Sequence, residues 1–184
     1  MQIRSWAKLQ FSLLLLAIAF PVVAQQSIAL ASGKTITASV TTTQTILHIP
    51  GRHSTKLRIA LQRDATIAKE TRPPDLKLIA EIPNSAILLT DTYPSLPGGL
   101  SYCQAGEEQF LRVITTSGRR PVETYHLKLA SCRDNIELAD PGLAWSPTTK
   151  TLAIHWLTRP DQPTTLTIAI DPNGKPSITA APLH

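Results

Sequence analysis

The chain has 184 residues, a formal net charge of +5, 42 % apolar and only 17 % charged residues. That composition supports a packed core of one ordinary domain, or at most two small ones, and excludes wholesale disorder. So little charge also excludes a coiled coil or a polyelectrolyte tail. Fifteen Pro against eight Gly indicate short, stiff turns rather than loose linkers.

Met1 to Ala24 reads as a secretory signal peptide. Arg4 and Lys8 supply its positive start, and Phe11 to Val23 its apolar stretch, with Leu13 to Leu16 in a row. Val22 and Ala24 occupy the −3 and −1 positions of a cleavage site, so the mature chain is expected to begin at Gln25. The apolar run is shorter than the ~20 residues a spanning helix needs, so no membrane span is expected after processing. No Cys follows the cleavage site to take a lipid. Without this segment the net charge falls to +3, and six aromatics remain: Tyr93, Tyr102, Phe110, Tyr125, Trp145 and Trp156.

From there the chain alternates with period two, the mark of half-buried strands. In Lys56 to Arg63, Leu57, Ile59 and Leu61 share one face against Lys56, Arg58 and Gln62. In Asp75 to Ile82 the inward set is Leu76, Leu78, Ala80 and Ile82. Glu108 to Thr115 and Val122 to Leu129 read as a hairpin turning at Ser117 to Pro121, with Tyr125, Leu127 and Leu129 opposite Thr124, His126 and Lys128. Leu152, Ile154 and Trp156 oppose Thr151, Ala153 and His155. Leu166, Ile168 and Ile170 oppose Thr165, Thr167 and Ala169. Turn signals such as Pro50-Gly51, Pro83-Asn84, Pro141-Gly142 and Pro172-Asn173-Gly174 separate these runs, and no window carries a helical stripe. The pattern predicts a mostly β chain: an antiparallel β-sandwich or partly closed barrel over residues 25–184, with a weak sub-domain break at 92–101.

Cys103 and Cys132 fall at the open end of the predicted hairpin, and export makes a disulfide between them the expected state. A redox role normally uses closer spacing.

The run Ala144-Trp145-Ser146-Pro147, followed by Leu152-Ala153-Ile154, resembles the strand–turn–strand phrase of β-propeller blades of the TolB kind. The likeness spans about ten residues and occurs once, whereas propellers repeat it at ~40-residue periods. It is read as a hairpin anchored by Trp145, and no function is carried over.

Chemistry-bearing motifs are sparse. There is no nucleophile elbow around Ser101, no phosphate loop, no H-E-x-x-H and no calcium loop, and Glu107 and Glu108 point to opposite faces of a strand. No catalytic residue, metal site or cofactor is therefore expected. His48 and His53 flank Pro50-Gly51 without a third ligand nearby. The shortage of aromatics disfavours nucleic acid and carbohydrate. Three surfaces stand out. Residues 51–80 carry a net +4, and Arg52, Lys56, Arg58, Arg63 and Lys77 form a candidate basic patch for an acidic protein or an anionic envelope component. Thr124, His126, Lys128 and His155 form a candidate polar face if their strands are neighbours. The Pro- and Gly-rich stretch from Tyr93 to Tyr102, with Gly98 and Gly99, is a candidate loop able to plug a cleft.

The expected role is a non-enzymatic binding or accessory protein of a bacterial periplasm. The alternatives are an inhibitor or immunity protein against an envelope hydrolase or toxin, and an enzyme built from scattered residues such as His126, His155 and Glu123.

Overall fold

The computed structural model describes residues 25–40, 45–49, 55–59, 65–68, 73–96, 103 and 106–180, so the expected leader at 1–24 lies outside the described residues. Among the described residues there is no α-helix. Twelve strands form three antiparallel sheets of four, each a simple meander in chain order. The first holds β1 (Gln25–Ala29), β2 (Thr35–Val40), β3 (Thr45–Ile49) and β4 (Thr55–Ile59). The second holds β5 (Asp75–Ile82), β6 (Ala86–Pro94), β7 (Glu107–Thr115) and β8 (Val122–Ser131). The third holds β9 (Glu137–Ser146), β10 (Thr151–Thr158), β11 (Thr165–Ile170) and β12 (Pro176–Ala180).

The second sheet is covered on both faces. On one side Ile36, Ala38, Leu47 and Ile49 of the first sheet meet Leu76, Ile87, Leu89 and Ile114. On the other, Leu152, Ile154, Trp156, Leu166, Ile168 and Ile170 of the third sheet meet Ala80, Ile82, Leu88, Leu111, Val113 and Leu129. A strand apolar on both faces loses its alternation. This is why Ala86-Ile87-Leu88-Leu89 is an unbroken apolar run and is buried throughout. The edge strand β8, and β10 and β11 of the third sheet, keep their period of two. Trp156 ties the layers directly, its Nε1–H donating to the Leu129 carbonyl at 2.7 Å.

The predicted antiparallel β-sandwich or partly closed barrel takes the form of three stacked antiparallel sheets, and among the described residues no barrel closes. The third layer adds a second core, built on the face of the second sheet that the first sheet leaves open. Residues 95–106 lie between β6 and β7, which pair from Ala86↔Thr115 to Pro94↔Glu107. The segment expected to be a sub-domain break therefore joins neighbouring strands of one sheet, and residues 92–94 belong to β6. Leu76, Leu78, Ala80 and Ile82 were expected on one face. A bulge between Leu78 and Ala80 divides them. Leu76 and Leu78 face the first sheet, and Ala80 and Ile82 the third. The β7–β8 hairpin forms as expected, and Cys103 and Cys132 are joined at its open end. Trp145 pairs with Leu152 across the β9–β10 hairpin and packs on the second core.

Candidate functional site

On the face of the second sheet that looks toward the first, β6 places Ile87, Leu89, Asp91 and Tyr93 in one row. β7 places Ile114, Arg112, Phe110 and Glu108 beside them. The row is apolar at one end and ionic at the other. Opposite charges occupy core positions of adjacent strands, and desolvation makes them pair.

Asp91 Oδ2 accepts from Tyr93 Oη–H and from Arg112 Nε–H, both at 2.7 Å. Arg112 also donates through Nη1 to Glu123 Oε1 of β8 at 2.7 Å. Asp91 and Arg112 are buried, while the Glu123 side chain keeps 22 % of its surface. Burial pushes the Asp91 carboxyl above its ordinary value, against the pull of Arg112 and of the Tyr93 hydrogen bond. Burial raises the Tyr93 phenol too, and the negative Asp91 adds to it. Burial alone would favour loss of the Arg112 proton, but Asp91, Tyr93 and Glu123 outweigh it and hold the guanidinium charged. Asp91 Oδ1 is buried without a hydrogen-bond partner.

A second knot lies one position further along. Glu108, wholly buried, accepts from Ser95 Oγ–H at 2.6 Å and from the Arg133 amide at 3.4 Å. Lys128 of β8 sits 4.0 Å from Glu108 Oε2, bonds Asp134 and Thr66 Oγ1, and lies over the Phe110 ring at 5.7 Å. Residues 65–68 cross here: Ile67 bridges to Ser95, and the Ala68 amide donates to the Pro94 carbonyl at 2.9 Å. The disulfide closes the same corner. Gly106 is required there, because a Cβ would stand 2.6 Å from Cys132 Cβ.

Searches of protein-family models, of curated proteins and of solved structures found no match to this chain.

The expected surfaces are distributed differently. Of the basic patch, Arg52 and Arg63 lie outside the described residues. Lys56 and Arg58 take register positions on β4 opposite His48 and Ile46. Lys77, on β5 of a different sheet, is exposed and pairs with Asp75 at 3.5 Å. Of the polar face, Thr124, His126 and Lys128 share β8, but His155 belongs to the third sheet opposite Thr165. β8 and β10 are not neighbours, so the four do not make one sheet face. His126 lies 3.9 Å from Glu123, and His155 stands on β10 of the third sheet. Of the loop, Gly98, Gly99 and Tyr102 lie outside the described residues. Tyr93 is not a loop residue: it is buried in β6, its ring edge-on to Phe110 at 6.0 Å. Glu107 and Glu108 do face opposite ways, one exposed and one buried. Among the described residues no group of three His, Cys, Asp or Glu is placed to hold a metal.

The ionic row itself escaped the sequence reading, although its signal was present. Ile87-x-Leu89-x-Asp91-x-Tyr93 and Glu108-x-Phe110-x-Arg112-x-Ile114 each carry charge in phase with core residues.

Proposed function

We propose that the chain is exported through residues 1–24, acts in the bacterial periplasm, and works as a non-enzymatic binding or accessory protein. The observation that carries this reading is the Cys103–Cys132 disulfide set against a buried ionic row. A disulfide suits an oxidising compartment. The charged groups of the row are engaged with one another, which favours a scaffolding task over proton transfer or nucleophilic attack.

The inhibitor or immunity reading is favoured by one further feature. Ser95, buried and bonded to Glu108, and Cys103, in the disulfide, are both anchored, and the expected plug at Gly98 and Gly99 falls between them in the sequence. Anchored flanks lower the entropy lost when a loop enters a cleft. The test is affinity capture from envelope extract with the parent protein and with a Gly98→Trp/Gly99→Trp variant. The inhibitor reading expects a hydrolase or toxin that the parent captures and inhibits and the variant does not. Capture of nothing, or equal capture by both proteins, overturns it.

A further inference from the structure

Five turns meet at the end of the stack away from the disulfide. They are residues 30–34 between β1 and β2, 83–85 between β5 and β6, 116–121 between β7 and β8, 147–150 between β9 and β10, and 171–175 between β11 and β12. Hydrogen bonds fasten them together. The Ser32 amide donates to Glu81 Oε2 at 3.0 Å, and the Thr116 amide to the Ser85 carbonyl at 2.8 Å. Thr115 Oγ1–H donates to Gly174 O and Ser117 Oγ–H to Asn173 O, each at 2.6 Å. The Ile170 amide donates to the Lys150 carbonyl at 3.0 Å.

These turns carry Lys34, Arg119, Arg120, Lys150 and Lys175, all exposed. The carboxylates described at this end are Glu81, Glu123 and Asp171. Glu81 and Asp171 each accept a turn amide, from Ser32 and from Lys175 respectively, and Glu123 is held by Arg112. Among the described residues none of the five cations makes an ion pair with them. Five exposed cations against three carboxylates leave a surplus of two positive charges. At the opposite end Asp91, Glu107, Glu108, Asp134, Glu137 and Asp161 stand with Lys128, Arg133 and Arg159, six acids against three cations, so this end is net negative and charge is separated along the strand direction.

We propose that this turn end docks on an anionic lipid bilayer. The cations come from all three sheets, which stack about 10 Å apart, so they spread over roughly 20 Å. Charge spread so widely over turns matches a sheet of phosphate headgroups. The five turns hold no Trp, Tyr or Phe, the aromatic anchors of many protein interfaces. The exposed aliphatic group at this end is Val122, 55 % accessible and two residues from Arg120, placed to enter the headgroup layer. The charge separation turns this end toward a negative surface before contact. The inference is independent of the loop reading above, since the two ends do not share residues.

The test is co-sedimentation of the protein with vesicles of phosphatidylcholine alone and with about 30 % phosphatidylglycerol. Binding is expected to the anionic vesicles only, and to vanish in about 0.5 M NaCl. Each basic residue near an anionic surface contributes roughly fivefold in partitioning. The variant Arg119→Gln/Arg120→Gln/Lys150→Gln/Lys175→Gln is therefore expected to lose more than tenfold, and Lys77→Gln/Arg133→Gln to bind as the parent does. Should the fourfold variant misfold, Arg119→Gln/Arg120→Gln alone must lower partitioning severalfold. Absence of binding, equal binding to neutral vesicles, equal loss in the control variant, or binding to soluble polyglutamate in place of vesicles would each overturn the assignment.

Discussion

Arg112 is the residue on which the ionic row depends, and Arg112→Met tests the row most sharply. The substitution keeps much of the apolar stem and removes the charge. Arg112 makes charge-assisted hydrogen bonds of 2.7 Å to Asp91 and to Glu123, each worth about 1.5–3 kcal/mol. Breaking a buried ion pair by removing one partner costs about 3–5 kcal/mol, chiefly because the remaining charge is stranded. Glu123 is partly exposed and can rehydrate, whereas Asp91 cannot. The expected loss at neutral pH is therefore about 3 kcal/mol or more. Acid should relieve it. Burial already raises the Asp91 carboxyl above its ordinary value, and losing Arg112 raises it further. A carboxyl that holds its proton more tightly folded than unfolded contributes most stability below its unfolded value, and that contribution is lost as pH rises through the folded one. The deficit of Arg112→Met relative to the parent should therefore shrink as pH falls from 7 toward 5. Asp91→Asn, which keeps an acceptor for Tyr93 and leaves Arg112 paired with Glu123, should cost less. The double variant should cost less than the sum of the two. Urea unfolding of the four proteins at both pH values measures all of this. A deficit below about 1 kcal/mol, or one unchanged by pH, would refute the reasoning.

Other parts of the fold give simpler expectations. Replacing Cys103 and Cys132 by Ser opens a cross-link of 29-residue separation, and the chain-entropy relation puts the loss near 3.5 kcal/mol, read as a lower urea midpoint. Gly174 has φ +80 and a Cβ there would stand 2.1 Å from the Ser85 carbonyl, whereas Gly33 has φ +75 with open space around it. Gly33→Ala should cost about 1–2 kcal/mol from backbone conformation alone, and Gly174→Ala clearly more, by thermal unfolding of both. Leu88→Ala, at the centre of the doubly covered sheet, should cost about 2–5 kcal/mol. Leu157→Ala, on the exposed face of β10, should stay within about 0.5 kcal/mol.

Strands with one covered face were legible because alternation survives in them. Val122 to Leu129, Thr151 to Trp156 and Thr165 to Ile170 appear where the period of two places them. The Cys103–Cys132 link followed from hairpin symmetry together with the expected export. The layer count was not legible: Ala86 to Leu89 has no alternation, and an unbroken apolar run does not say which sheets cover it. Bulges hid the faces of β5, since one extra residue at Leu78–Ala80 moves the rest of the strand to the other side. Sheet membership hid the fate of His155, which alternation places on the polar side of its strand without saying which strands adjoin it. Charge summed along the sequence pointed to residues 51–80. Five of the described cations, Lys34, Arg119, Arg120, Lys150 and Lys175, lie on turns far apart in the chain, and sequence distance hides that these turns share one end of the stack.

Export through residues 1–24, as proposed, and the Cys103–Cys132 disulfide can be tested together. The most direct measurement is the intact mass of the protein recovered from a periplasmic extract, alkylated without and then with reductant. The expected species begins at Gln25, takes no label without reductant and two labels after it. A mass that retains residues 1–24, or two labels on unreduced protein, would contradict it.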